Sequence, residues 1–229
     1  MKIDLLQPVY GSEENAIRSF KAFTDSELKE LDASLEISIQ KKRFVVSVSG
    51  EDEELCANFL YEAFGKLLTP KDVDPETECS GFIQSVHADH LVVNAGFDCI
   101  VPLSALEPLG VGSVGQIASR FGMIPYLPVS FQILPDGTAA FTKKQVDLWW
   151  SWKKSSTDRI FVNGVTRSQV KAVLQRSRHG RDVYGVEKLG LTECVIICKE
   201  KTDGPGIVAS IGRKLQSSQM GVLIGEKKN

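Results

Sequence analysis

All three tryptophans of the chain fall in Trp149-Trp150-Ser151-Trp152, between the lysine pairs Lys143-Lys144 and Lys153-Lys154. Interleaved rings and cations suit single-stranded nucleic acid, because every base offers a π face for stacking and each lysine can neutralise a phosphate. The same spacing also suits an internal clamp, with Trp149 and Trp152 packed between modules and Trp150 left partly exposed. A second basic group follows at Arg167, Lys171, Arg176, Arg178, His179 and Arg181. On a helix running from Thr166 to about Arg178, Arg167, Lys171 and Arg178 fall near one face, since residues four and seven apart stack. Arg176, His179 and Arg181 crowd its C-terminal end, where cations also meet the helix dipole favourably. So many charges within so few residues exceed what capping requires. Lys143, Lys144, Trp150, Lys153, Lys154, Arg167, Lys171, Arg176, Arg178, His179 and Arg181 are therefore the expected RNA-binding residues.

A third candidate is Thr202-Asp203-Gly204-Pro205-Gly206-Ile207. Gly204 and Gly206 would let backbone N–H groups approach an anion or ligand at a helix N-terminus, helped by Arg213 and Lys214. The competing reading is a tight strand-to-helix turn, with Asp203 capping and Pro205 in the first helical turn. This turn loosely resembles the Gly-x-x-Gly clamp of KH domains, and equally the Asp-x-Pro-Gly turn of ACT amino-acid sensors. The latter resemblance implies an alternative function, a ligand-sensing regulator with a small-molecule site near Asp203.

Evidence for catalysis or a metal is slight. His87 and His90 are two residues short of adjacency, and Cys79 lies about 26 Å from His87 if the strand between them is extended, too far to share an ion. No phosphate-binding glycine loop, nucleophile elbow or carboxylate pair stands out. Neither an enzyme nor a cofactor is expected. The five cysteines, Cys56, Cys79, Cys99, Cys194 and Cys198, are odd in number and set in apolar surroundings, which suits buried thiols in a reducing compartment. The first residues lack a signal peptide's apolar stretch, and no apolar run is long enough to span a bilayer. A cytoplasmic protein without a membrane partner is expected.

Charge separates along the chain. Residues 1–75 hold 9 Lys/Arg against 15 Asp/Glu, and residues 76–142 hold 1 against 6. Residues 143–229 hold 17 against 8. The basic end implies a polyanionic partner such as RNA or a ribonucleoprotein, and the acidic residues 1–142 a basic protein partner.

These residues must be positioned by an α+β chain of three modules, 1–75, 76–142 and 143–229. The first reads as strand 2–10, a helix capped by Ser12 with Ala16, Ile17, Phe20 and Phe23 on one side, and a hairpin of 35–40 with 44–49 around Lys41-Lys42-Arg43. A second helix opens at Glu51-Asp52-Glu53-Glu54, is anchored by Leu55, Phe59, Phe64 and Leu67, and stops at Leu68-Thr69-Pro70. Residues 71–78 read as a linker. The last module runs strand 159–164, a helix opening with the capping box Thr166-Arg167-Ser168-Gln169, strands 183–189 and 192–198, helix 205–215 and strand 220–224. That is the βαββαβ order of a ferredoxin-like sandwich, and the first module has a similar βαββα order.

Residues 76–142 differ, with five short strands expected to form an OB-type barrel. Gly81-Phe82-Ile83-Gln84-Ser85-Val86 opens the first strand, Leu91-Val92-Val93-Asn94-Ala95-Gly96 ends the second on a small-residue turn, and the third runs into Pro102-Leu103-Ser104-Ala105-Leu106. These features are similar to the S1 RNA-binding domain, over roughly 65 residues. The resemblance implies single-stranded RNA stacked on rings of the second and third strands. Here Leu91 and Val92 stand where S1 domains carry an aromatic, Pro102 stands where histidine is frequent, and only Phe82 and Phe97 are nearby rings. With Arg120 its one positive residue, such a barrel should repel phosphate. The insertion 110–125, with Val114, Ile117, Phe121 and Ile124 at helical spacing, reads as a barrel plug. The whole chain also resembles an uncharacterised archaeal family with an S1-like barrel between two α/β modules, which implies an archaeal cytoplasm. The expected function is therefore a non-catalytic RNA-binding protein of translation, ribosome association or RNA processing, with contact shifted to residues after the barrel.

Overall fold

The computed structural model describes residues 1–216 and 218–226; Lys227 and Lys228, part of the basic C-terminal count, lie outside the described residues. It is a mixed α+β chain whose described residues hold three antiparallel sheets and six α-helices. Residues 1–68 and 69–229 form two compact units.

In the first unit β1 (Lys2–Pro8), α1 (Glu13–Glu27), β2 (Ser34–Gln40), β3 (Arg43–Ser49) and α2 (Glu53–Phe64) make a sheet of order β1-β3-β2. Ser12 caps α1 by accepting from the Asn15 N–H. Lys41 and Lys42 both take left-handed φ, 48° and 59°, and so form the two-residue turn, while Arg43 already belongs to β3. Phe20 of α1 stacks on Phe44 of β3 at 4.6 Å and meets Phe64 of α2 at 4.9 Å, which ties both helices to the sheet. Two expectations fail on α2. Leu55 is 57% exposed, and Cys56, Ala57 and Leu60 anchor the helix instead. The helix also ends at Phe64, where Gly65 takes φ 76° as its C-cap, before Leu68-Thr69-Pro70 is reached.

The second unit contains two sheets. The central one is built from β4 (Glu78–Val86), β5 (His90–Asn94), β6 (Asp98–Pro102), β7 (Pro128–Ile133) and β8 (Ala139–Phe141), in order β6-β5-β4-β7-β8. A Cβ on Gly81 would sit 2.7 Å from both the Asn94 carbonyl and the Phe131 ring, so glycine is required where β4 bends through the core. A 3₁₀ segment (Leu103–Leu109) precedes the insertion, which forms α3 (Val114–Arg120), whose Val114 and Ile117 are buried with Phe121.

The C-terminal sheet has β9 (Arg159–Asn163), β10 (Val183–Lys188), β11 (Glu193–Cys198) and β12 (Gln219–Leu223), in order β10-β11-β9-β12. Its helices are α5 (Arg167–Arg176), with both halves of the Thr166/Gln169 capping box formed, and α6 (Gly204–Ile211). Ile160, Val162, Val170, Leu174, Ile196, Ile207 and Ile211 fill the space between helices and sheet.

Between the sheets lies α4 (Lys143–Lys153), a helix not expected from its polar, lysine-rich sequence. Thr142 caps it through the Gln145 N–H, and the Gln145 side chain accepts from the Ser130 N–H, docking α4 on β7. Trp149 is fully buried, with its ring 4.8 Å from Phe141 and 6.2 Å from Phe121. Gly122 and Gly221 complete the seam. A Cβ on Gly122 would fall 2.9 Å from the Phe161 ring, and one on Gly221 would fall 2.6 Å from the Gly122 carbonyl.

All five cysteines are free and buried. Burial pushes the Cys99 thiol from 9.0 up to about 11, and Cys194 and Cys198 up to about 12. The unfolded chain therefore releases these protons first as pH rises, so it binds fewer protons than the native state above about pH 9. Stability should be insensitive to these thiols below pH 9 and fall progressively between pH 9 and 12, measured by urea midpoints. A thiol reagent at neutral pH should label native protein negligibly and all five cysteines after denaturation.

Candidate nucleic-acid interface

The ladder of the C-terminal sheet decides which cations meet. Arg159 pairs with Ile197 of β11 and with Leu223 of β12, so the start of β9 lies at the same end of the sheet as the ends of those two strands. Val183, at the start of β10, pairs with Cys198 at that end as well. Lys153 and Lys154 run into this end before β9, Lys199 and Lys201 leave it after β11, and Arg181 enters it before β10. Backbone bonds hold the loops together there: the Lys199 N–H and the Thr202 hydroxyl both donate to the Asp182 carbonyl, at 2.8 and 3.1 Å.

Helix α5 delivers the other arginines. It ends at Arg176, one residue before Ser177, and Arg178 follows with left-handed φ of 63°. Arg178 is therefore not on the helical face expected of it; the reversal at this residue turns the chain into the short 3₁₀ segment His179–Arg181. His179 Nδ1 lies 2.8 Å from an Asp182 carboxylate oxygen, which occupies the one acid in this stretch. Lys214 Nζ donates to the Ser177 hydroxyl at 2.9 Å. Arg176, Arg178 and Arg181 are exposed, and among the described residues no carboxylate lies within ion-pairing distance of them.

Tyr184 adds a ring that sequence reasoning passed over. The β10–β11 register slips between Val183 and Gly185, leaving Tyr184 as the extra residue of a bulge, and its side chain is 64% exposed. Bulges re-aim side chains out of the ladder's alternation. Three residues after Arg181, this is an exposed aromatic residue at the sheet end that Arg181 enters.

Other expected residues are placed elsewhere. Arg167 starts α5, and its Nε donates to the Val186 carbonyl at 2.6 Å; a ten-residue helix, about 15 Å long, separates it from Arg176. Lys171 is exposed one turn along the same helix. Lys143 and Lys144 are exposed in the first turn of α4, where they oppose the helix dipole, about 15 Å from Lys153. Lys153 Nζ donates to the Ile224 carbonyl. Trp150 is not an open platform: its Nε1 donates to the Pro108 carbonyl at 2.9 Å, Phe121 meets it edge-on at 5.3 Å, and Lys154 Nζ lies 5.7 Å from its ring. Trp152 packs against Phe161 and under Arg159.

The Gly204 turn is filled by the protein itself. Asp158 is 1% exposed, and its carboxylate accepts from the Gly204 N–H and the Gly225 N–H, both at 3.0 Å. The internal carboxylate thus takes the α6 N-terminus, the position where a ligand anion had been expected. Asp203 is the N-cap residue but makes no side-chain capping bond, and Gly206 is compact because a Cβ there would lie 2.6 Å from an Asp203 carboxylate oxygen. Arg213 and Lys214 stand at the opposite end of α6, about 12 Å away, so they do not join Gly204 and Gly206.

On the central sheet Leu91 is buried and Val92 half-buried, while His87 and His90 stack at 4.5 Å. His87 bonds Ser85 and His90 bonds Asp89; among the described residues no three His, Cys, Asp or Glu side chains are grouped to hold a metal. Nor is any described helix long and apolar enough to cross a membrane.

Asp158→Asn should test the internal anion. An amide offers one acceptor and turns an NH₂ toward the other donor, so one buried N–H loses its partner, at a cost of about 2 kcal/mol in urea unfolding.

Family models match the chain along its length: the DUF2110 N-terminal domain at residues 2–70, the DUF2110 central domain at 73–153 and the DUF2110 C-terminal domain at 157–223. The search of curated proteins finds no match.

Proposed function

The chain belongs to the DUF2110 family, and we propose that it is a non-catalytic RNA-binding protein of the cytoplasm, acting in translation, ribosome association or RNA processing. The observation that carries this reading is the group Arg176, Arg178 and Arg181, exposed at one end of a sheet without carboxylate partners among the described residues, beside the exposed ring of Tyr184. Charges that stabilise a fold are ordinarily balanced locally. Cations left unbalanced at the sheet end where Lys153, Lys154, Lys199 and Lys201 also converge fit an external run of phosphates.

The finer fold reading belongs to the same proposal. The strand order β12-β9-β11-β10, fourth-first-third-second of a βαββαβ unit, supports a ferredoxin-like C-terminal module. The order β6-β5-β4-β7-β8, with α3 between the third and fourth strands, supports an S1-like, OB-type barrel in the centre. In this reading the barrel's usual RNA face, carrying Leu91, Val92 and Pro102, is not the contact surface, and the acidic residues 1–142 face a basic protein. The bulged Tyr184 would stack one unpaired base while the arginines neutralise the adjoining phosphates, which favours single-stranded over duplex RNA.

Salt titration of binding to single-stranded RNA tests the reading. Affinity should fall steeply with salt, and Arg176→Glu with Arg178→Glu should flatten the slope of log K against log salt by about 1.4, the share of two phosphate contacts. Tyr184→Ala should cost about 1–3 kcal/mol while leaving that slope unchanged. Absence of binding at low salt, or binding indifferent to all these substitutions, overturns the proposal.

A further inference from the structure

The first unit's sheet has two outer strands that are treated differently. The free side of β1 is covered by the chain leaving α2: the Leu6 N–H donates to the Gly65 carbonyl at 2.9 Å, the Leu67 N–H donates to the Asp4 carbonyl at 3.3 Å, and Leu5 bridges Lys66. Among the described residues no backbone segment pairs with the free side of β2. Its seven residues pair with β3 in unbroken register from Ser34↔Ser49 to Gln40↔Arg43, without a bulge, proline or lysine. Those are among the devices that ordinarily keep an edge strand from pairing further, and Glu36 is the one charged residue of β2.

The turn fixes which backbone groups face outward. A two-residue loop makes Gln40 and Arg43 the hydrogen-bonded pair that closes the hairpin, so alternation points the N–H and C=O of Ser34, Glu36, Ser38 and Gln40 toward β3. The backbone groups of Leu35, Ile37 and Ile39 therefore point to the open edge. Their side chains share the face toward α1 and are only half-buried, alternating with four exposed polar residues. Beside them a groove of about 540 Å³ runs between α1 and β2, lined among others by Lys21, Asp25, Leu28, Lys29, Leu35 and Ile37.

We propose that β2 pairs with β2 of a second copy of this chain, antiparallel about a two-fold axis at Ile37. The sequence Ser-Leu-Glu-Ile-Ser-Ile-Gln is self-complementary in that register. Ile37 meets Ile37, and Leu35 meets Ile39 on both sides of the axis, each pair presenting outward N–H and C=O groups to the other. Glu36 falls opposite Ser38, so no like charges oppose one another. The groove alternates in sign through Lys21 and Asp25 of α1 and Lys29 just beyond it. The doubled sheet covers three half-exposed apolar side chains per copy and satisfies an edge that the fold leaves open.

Sedimentation velocity on the full chain, from about 1 to 100 μM, reads the outcome. The expected result is a concentration-dependent dimer. Ile37→Lys, which sets like charges face to face at the axis, should leave a monomer with unchanged far-ultraviolet dichroism. Ser38→Glu, at an exposed position, sets a carboxylate opposite the Glu36 carboxylate of the other copy and should weaken association about tenfold, and adding Glu36→Lys should restore it. If Ile37→Lys does not fold, the charge exchange decides alone. A monomer at every concentration, which includes the case of an edge reserved for a strand of another protein, overturns the proposal. So does a dimer that Ile37→Lys leaves intact, or one in which adding Glu36→Lys fails to restore what Ser38→Glu removed.

Discussion

A single buried carboxylate organises the C-terminal sheet and its second helix. Asp158 sits immediately before β9, and its two oxygens take the first free N–H of α6 and the N–H of Gly225 beyond β12. Its own carbonyl accepts from the Cys198 N–H at the end of β11. One residue thus joins the beginning of the first strand, the end of the third, the start of the second helix and the exit of the last strand. Ionised side chains are rarely buried without compensation, and here the compensation is a helix terminus and two backbone donors. The arrangement also decides the chemistry of the turn. A helix end already neutralised from inside has no electrostatic demand for an outside anion.

That internal satisfaction contrasts with the opposite condition a few residues away. Asp182 is taken up by His179 and Glu200 accepts from the Ser156 hydroxyl, while Arg176, Arg178 and Arg181 have no carboxylate within ion-pairing distance among the described residues. The ladder brings together cations that are far apart in the chain: Lys153 and Lys199 are separated by more than forty residues but border the same ends of β9 and β11. Conversely, Arg167 and Arg176 are near in sequence and lie at opposite ends of one helix.

Elements that depend on local rules were legible from sequence. Ser12, Thr166 with Gln169, and the lysine turn of the first hairpin each act within a few residues, and each is found in place. Periodicity located Phe20, Phe64, Val170 and Ile207 in the core because the helix repeat is itself local. The misses share the reverse property. Leu55 looks like an anchor of α2, but the side facing the sheet is set by Cys56 and Leu60, a rotation that periodicity over a short amphipathic run does not resolve. Helix α4 hid behind its lysines because one fully buried residue, Trp149, supplies most of its docking. Asp158 and Tyr184 had no signal of their own: the role of the first depends on two strands and a helix meeting, and that of the second on a register slip between β10 and β11. Tyr126 and Lys201, like Arg178, adopt left-handed backbone that no neighbouring residue type announced.

The seam at Gly122 and Gly221 has a consequence for how the second unit comes apart. Where the Gly221 and Gly122 backbones meet without an intervening side chain, there is no soft layer to absorb displacement. Loosening at this point should therefore disturb both sheets together, giving a single melting event for residues 69–229 in place of two. Stiffness of that kind belongs to a surface that presents charges at fixed spacing, not to one that moulds itself to whatever it meets.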